Sequence, residues 1–169
     1  MAETPLEEPI YAYALEDYID IGDGSAASYV QATNMLTWDT STDKSEYEAE
    51  CIDYKTSKKF VQGRSCSIEV EQIAMTNNAV ASWFLDHEND LDVPTKIVRV
   101  RTWTEKDGKC EAKMASFKFN PNEPVKEFNS PLKLGGTFER SDDDWTVGTF
   151  DRATKAFTAA ADAQPPAAG

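Results

Sequence analysis

At 169 residues, 40% hydrophobic and 11% aromatic, the chain is long enough for one domain with a real core. Its net charge of −13 and pI near 4.4 argue against a grip on nucleic acid, or docking on an anionic membrane, through bulk charge. No apolar run is long enough to span a bilayer, and residues 1–8 have neither the basic start nor the apolar run of a signal peptide.

The charge is unevenly spread. Residues 1–53 hold thirteen Asp and Glu against Lys44 alone, a net of −12; residues 54–169 hold seventeen acids and sixteen bases, a net of −1. Two readings of the acidic third stay open: a solubilising, partly disordered N-terminus, or an acidic surface shaped to repel an anion. Cys51, Cys66 and Cys110 are odd in number and far apart, which fits reduced thiols made in a cytoplasm. Cys51 and Cys66 lie in strand-like runs, so packing is their expected role.

Residues 1–25 read as an arm. Pro5 and Pro9 precede the apolar run 10–15, whose Tyr11 and Tyr13 would add to a sheet edge or pack on a neighbour. Asp20-Ile21-Gly22-Asp23-Gly24 is turn chemistry, and its spacing fails the calcium-loop pattern. Residues 29–38 form the first strand, with Val30, Ala32, Leu36 and Trp38 on one face and Asn34 as a polar interruption. Residues 39–45 are polar and read as a surface connection. Residues 47–55 are the next strand, in which Tyr47, Ala49 and Cys51 alternate against Glu46, Glu48 and Glu50. Residues 56–64, basic at Lys58, Lys59 and Arg64, read as a second connection.

Residues 65–104 organise the rest. Cys66, Ile68 and Val70 alternate against Ser67, Glu69 and Glu71, the period-2 pattern of a half-buried strand. The period then changes: Val80, Trp83, Phe84 and His87 recur at i, i+3, i+4 and i+7 and predict a short amphipathic helix near 77–88, capped by Thr76 or Asn77. So short a helix needs a sheet beneath it. Residues 96–104 alternate again, with Ile97, Arg99, Arg101 and Trp103 opposite Val98, Val100 and Thr102. Asp107-Gly108 supplies the positive φ of a tight hairpin turn, and 110–119 is the return strand. Residues 132–138 read as a strand with a bulge at Gly135-Gly136. Residues 141–144 turn the chain and 145–150 pair back. Residues 152–169 are an Ala-rich stretch and a Pro-containing tail, expected to be disordered in the free chain. The expected fold is mainly β: an antiparallel β-sandwich or open barrel of about seven strands with one flanking helix.

Little in the sequence looks catalytic. His87 is the only histidine, on the edge of the helix's apolar face, where a packed or capping role is expected. No zinc spacing, nucleophile elbow, phosphate loop or dinucleotide fingerprint occurs. The expectation is a non-enzyme without cofactor or metal. Arg99 and Arg101 share one strand face. They are either a solvated face or an intersubunit contact to carboxylates in residues 1–53 of a neighbour.

The order of pieces resembles the major tail tube proteins of long, non-contractile-tailed bacteriophages. The carriers are the apolar arm, the strand ending Met35-Leu36-Thr37-Trp38, and the strand running from Tyr47 through Ile52-Asp53-Tyr54-Lys55. The strand 66–73, the helix at Trp83-Phe84, the strand-hairpin-strand 96–119, and the closing Gly148-Thr149-Phe150-Asp151 with its small-residue tail complete them. The resemblance covers residues 26–151, with 1–25 as arm and 152–169 as flexible tail. A further C-terminal immunoglobulin-like domain, which some members carry, is not expected.

That resemblance implies a structural virion protein whose hexameric rings stack into a tube that conducts double-stranded DNA into the host without binding it specifically. It implies tail-tip or initiator, tape-measure and tail terminator proteins as partners, and a virion-tail location after assembly in the bacterial cytoplasm. Ring contacts are then expected at Tyr11, Tyr13, Lys58, Lys59, Arg99 and Arg101, with residues 1–25, 39–46 and 56–64 as stacking elements. The lumen sheet is expected near 65–73 and 96–119. The alternatives are a monomeric β-sandwich binding module with Trp38, Trp103 and Trp145 stacking on a sugar, or the tube protein of a related contractile or secretion system.

Overall fold

The computed structural model describes residues 7–53, 55–142 and 144–160. Among them lie nine strands and one α-helix. In chain order these are β1 (Leu15–Asp20), β2 (Tyr29–Gln31), β3 (Met35–Ala49), β4 (Lys58–Ile73), α1 (Ala79–Asp86), β5 (Val93–Lys106), β6 (Lys109–Pro121), β7 (Lys133–Arg140), β8 (Thr146–Asp151) and β9 (Ala156–Ala159). All pairings are antiparallel, in the order β2-β1-β5-β6-β7-β4-β3. The long strand β6 is shared. Its C-terminal part, Phe117 to Pro121, pairs with β7, and its N-terminal part, Lys109 to Met114, pairs with β8, which in turn pairs with β9.

This sharing sets two cores on opposite faces of the sheet. The first lies beneath α1 and holds Ile68, Val70, Val80, Trp83, Phe84, Ile97, Phe117, Phe119 and Phe138. The second holds Tyr18, Tyr29, Val98, Val100, Cys110, Ala112 and Phe150. Ile97 and Val98 are adjacent in sequence and both fully buried, because alternation along β5 sends one into each core. Around the second core the sheet curls tightly. β1 and β8 are separated by β5 and β6, roughly 14 Å apart in a flat sheet. Yet the rings of Tyr18 and Phe150 meet with centroids 4.5 Å apart, and the Arg152 guanidinium reaches Glu16 at 2.8 Å. Burial inside this curl pushes the Tyr29 phenol up to about 12. A raised phenol means that the fold favours the neutral form, so its stabilising share is complete below pH 10 and is lost as pH rises through 12. In an ultraviolet titration of the folded chain, one tyrosine is expected to ionise about two units late, and Tyr29→Phe to remove that step.

The sequence expectations hold where one face is buried and fail elsewhere. The helix is Ala79–Asp86, and its cap is Asn78, whose Oδ1 accepts from the Val80 and Ala81 amides. Asn77 cannot serve, because its φ of 60° puts it in the turn before the helix. The hairpin at Asp107-Gly108 forms with both residues at positive φ. The first strand is two strands, broken at Asn34 with φ 58°. The expected connection 39–45, and residues 58–64 of the expected connection 56–64, are themselves strand, inside β3 and β4, and Cys51 is exposed in the turn between them instead of packed. Gly135-Gly136 makes no bulge, since its register against β4 is unbroken. The pair is glycine because a Cβ at Gly135 would stand 2.1 Å from the Val70 carbonyl oxygen, and one at Gly136 2.7 Å from the Phe119 ring. Residues 146–151 pair with β6 and β9, not with β7. Leu15–Asp20, within the arm, pairs with β5; Ala156–Ala159, within the tail, is β9. Residues 1–6 and 161–169 of those two segments lie outside the described residues.

Candidate functional site

Three surfaces stand out. The first is the outer part of the β3–β4 hairpin. From Thr42↔Cys66 to Ala49↔Lys58 the two strands run as a ribbon with no third strand beside them, over roughly 23 Å at about 3.3 Å per residue. Residues 41–48 and 58–65 are exposed on both faces. One face pairs Tyr47 with Phe60, both more than half exposed; the other pairs Glu46 with Val61 and Glu48 with Lys59. Lys58 and Lys59 therefore project on opposite faces. A two-stranded ribbon is marginal in water by itself, so an aromatic pair held out on one calls for a partner surface.

The second surface is the polar side of the sheet β5-β6-β7-β4-β3. Cross-strand rows run Asp39, Glu69, Thr137, Asn120 and Ser41, Ser67, Glu139, Lys118, with Glu71 and Thr37 in the next row. Large apolar side chains are absent from these rows. Asp39 stands directly opposite Glu69, a like-charge pair that costs the isolated chain stability.

The third is the solvent side of β1-β5-β6-β8. Arg99 and Arg101 do share this face, but Arg99 finds its carboxylate in its own chain. Its Nε donates to Asp17 Oδ1 at 2.8 Å and its Nη2 to Thr40 Oγ1 at 3.2 Å. Burial raises the Asp17 carboxyl above its ordinary value, the attraction of Arg99 offsetting only part of that. Arg101 lies 3.7 Å from Glu111, both exposed. Tyr11 and Tyr13 are exposed and stacked on each other at 5.5 Å, on a 3-10 turn whose Ala14 carbonyl accepts from Thr102 Oγ1. The structure thus brings Arg99, Arg101 and the tyrosine turn to one end of the sheet, and sets Lys58 and Lys59 apart on the ribbon. Lys113 belongs with the arginines, directly across from Arg99, and strand alternation alone did not single it out.

His87 caps the end of α1, its Nδ1 2.7 Å from Asp90 Oδ2 and its ring against Trp83 at 5.0 Å. Among the described residues no three His, Cys, Asp or Glu gather as a metal site. Trp38 and Trp145 pack on Phe138 and Phe117, so of the three tryptophans proposed for a sugar platform only Trp103 stands well exposed.

No family model matches the chain, and no curated protein matches it in sequence. Solved structures do. The SPP1 tail tube superposes with a TM-score of 0.61 at 14% identity, covering 82% of this chain and 78% of that one. The chain has the tail-tube fold. The tail of the empty GTA particle, determined with C6 symmetry, matches with a TM-score of 0.56 at 9% identity, covering 90% of this chain and all of that one. Identities this low show shared architecture and not shared residues. On this tail-tube fold the ribbon, the acidic rows and the arginine face each lie on a different side or end of the sheet.

Proposed function

We propose that the chain is a structural, non-enzymatic subunit of a tail tube, in which six copies form a ring and rings stack into a tube that conducts double-stranded DNA. The observation that carries this reading is the ribbon on a tail-tube fold: a long projection whose residues 41–48 and 58–65 stay exposed and which carries an aromatic face. The ribbon then reaches a neighbouring ring, with Lys58 and Lys59 on either side of it. Tyr11, Tyr13, Arg99 and Arg101 belong to contacts on the opposite part of the sheet, Arg99 through the ion pair it keeps with Asp17. The acidic rows around Asp39, Glu69, Glu71 and Glu139 face the lumen, where like charge keeps DNA sliding instead of adhering. The like-charge cost of Asp39 against Glu69 is then borne for function. Tail-tip, tape-measure and terminator proteins are the further partners, and the virion tail is the location.

The test is negative-stain electron microscopy of the purified chain over a concentration series, with light scattering on the same samples, alone and seeded with sonicated assemblies from the most concentrated sample. Rings or hollow tubes with six-fold end views are the expected result. A chain that stays monomeric at every concentration, seeded or not, speaks against the tube.

A further inference from the structure

The solvent face of β5 and β6 contains a cation without an ion pair among the described residues. Arg99 and Lys113 are directly opposite across the strands, and Arg101 follows Arg99 on the same side of β5. The Lys113 ammonium sits 4.5 Å from the centroid of the Trp145 ring, and the Arg99 guanidinium lies over the same ring at 5.7 Å. Two carboxylates are near, and each is engaged: Asp17 with Arg99, Glu111 beside Arg101. Lys113, half-buried, has no ion pair among the described residues. Burial and the two neighbouring guanidiniums hold its pKa below the ordinary lysine value. The aromatic ring beneath offers a cation–π contact but no neutralising charge. In a chain of net charge −13, a half-buried ammonium kept beside two guanidiniums is a site built for an anion.

We propose that Lys113, with Arg101 beside it, receives carboxylates from the ribbon of a second copy, namely Glu46 and Glu48 of β3 and Glu50 just beyond its end. Glu46 and Glu48 share one face of β3 at roughly 6.6 Å spacing, with Glu50 next in the turn, and Lys113 and Arg101 are diagonal neighbours on adjacent strands, roughly 7–8 Å apart at the backbone. All three are exposed; Glu46 and Glu48 project from the opposite face of the ribbon to Tyr47, where Glu48 faces Lys59 and accepts from Ser57 Oγ. Neighbouring carboxylates thus meet two neighbouring cations, and such charge complementarity fixes partner and alignment. This rests on the tube reading, since it needs a second copy within reach.

Two measurements separate the pairing from the tube. The first is made on the unassembled chain: a synthetic peptide of residues 41–50 is titrated while the Lys113 Nζ resonance is followed by NMR. A saturable shift is expected, reduced at least tenfold in affinity when the three glutamates of the peptide are replaced by glutamine. No shift, or an equal shift with the glutamine peptide, overturns the proposal whatever the chain's assembly state. The second is Lys113→Met. A repelled cation is removed, so the Tm of the unassembled variant should equal or exceed that of the wild type, while the concentration needed for assembly rises at least tenfold. Lys113→Glu combined with Glu48→Lys should recover part of that loss. A Lys113→Met chain that assembles at the wild-type concentration sinks the pairing and leaves the tube standing. A lowered Tm with unchanged assembly would mark Lys113 as a packing residue only, and also sinks it.

Discussion

Phe138→Ala is expected to lower the unfolding free energy by about 3–5 kcal/mol, roughly a fifth or more of what a domain of this kind commonly has. Phe138 is fully buried, and five aromatic rings surround it: Phe119 at 4.5 Å, Trp38 at 6.2 Å, Phe117 at 6.4 Å, and Trp83 and Phe84 at 6.5 Å each. They come from β3, β6 and α1, so this one ring joins the helix to the sheet. The cost falls at the upper end because the site cannot collapse. β7 is already in backbone contact with β4 at Gly135, and the Phe119 ring already rests on Gly136. Nothing can slide in to fill the cavity. Urea unfolding followed by tryptophan fluorescence checks this, with the m-value unchanged. Phe128→Ala is the control: that side chain is 95% exposed, and its loss should stay within about 0.5 kcal/mol. A Phe138→Ala cost under about 1 kcal/mol would mean that the first core is not assembled around this ring.

The second large effect separates folding from assembly. Replacing residues 44–64 by Asn-Gly leaves Asp43 and Ser65, which are register partners, joined by a two-residue turn of the geometry that hairpins favour. The excised residues that the structure describes are nearly all exposed, and the contact they lose with the body is the hydrogen bond from Arg140 Nη2 to the Arg64 carbonyl, so the variant should melt below the wild type by roughly 10 °C or less. Assembly should be abolished at concentrations a hundredfold above those at which the wild type assembles. Sedimentation velocity beside differential scanning calorimetry reads both. Tubes formed by the truncated chain would remove the ribbon from any stacking role. A collapse in Tm would show that it supports the fold in a way its exposure does not reveal.

How much of this was readable from the residues follows from which faces are buried. Residues 66–73 announce a strand because Cys66, Ile68 and Val70 bury one side and Ser67, Glu69 and Glu71 do not. The helix announces itself through Val80, Trp83 and Phe84 for the same reason. The ribbon is polar on most of both sides, so no hydrophobic period marks residues 39–45 or 58–64, and only the backbone ladder makes them strand. The pairing of β8 with β6 was hidden because it depends on β7 leaving β6 at Phe117↔Arg140, a long-range event without a local signal. Arg99 and Arg101 were visible as a pair. Lys113 was not, because counting back from the Asp107-Gly108 turn would set Ser116 opposite Arg99. An irregularity between Arg101 and Lys106 shifts the register and delivers Lys113 instead. The glycine pair was visible as an anomaly, but its cause, a backbone carbonyl from β4 and a ring from β6, lies outside its own strand.

The way β4 is anchored has a mechanical consequence. A pull on the ribbon tip along its length is transmitted down β4, which is held against β7 by register partners from Ser67↔Glu139 to Ile73↔Lys133. Such a load acts along the strands and is shared by the whole ladder at once. A sideways load on the same tip would open the pairs one after another from Ser67. The projection is therefore stiff to tension and compliant to bending.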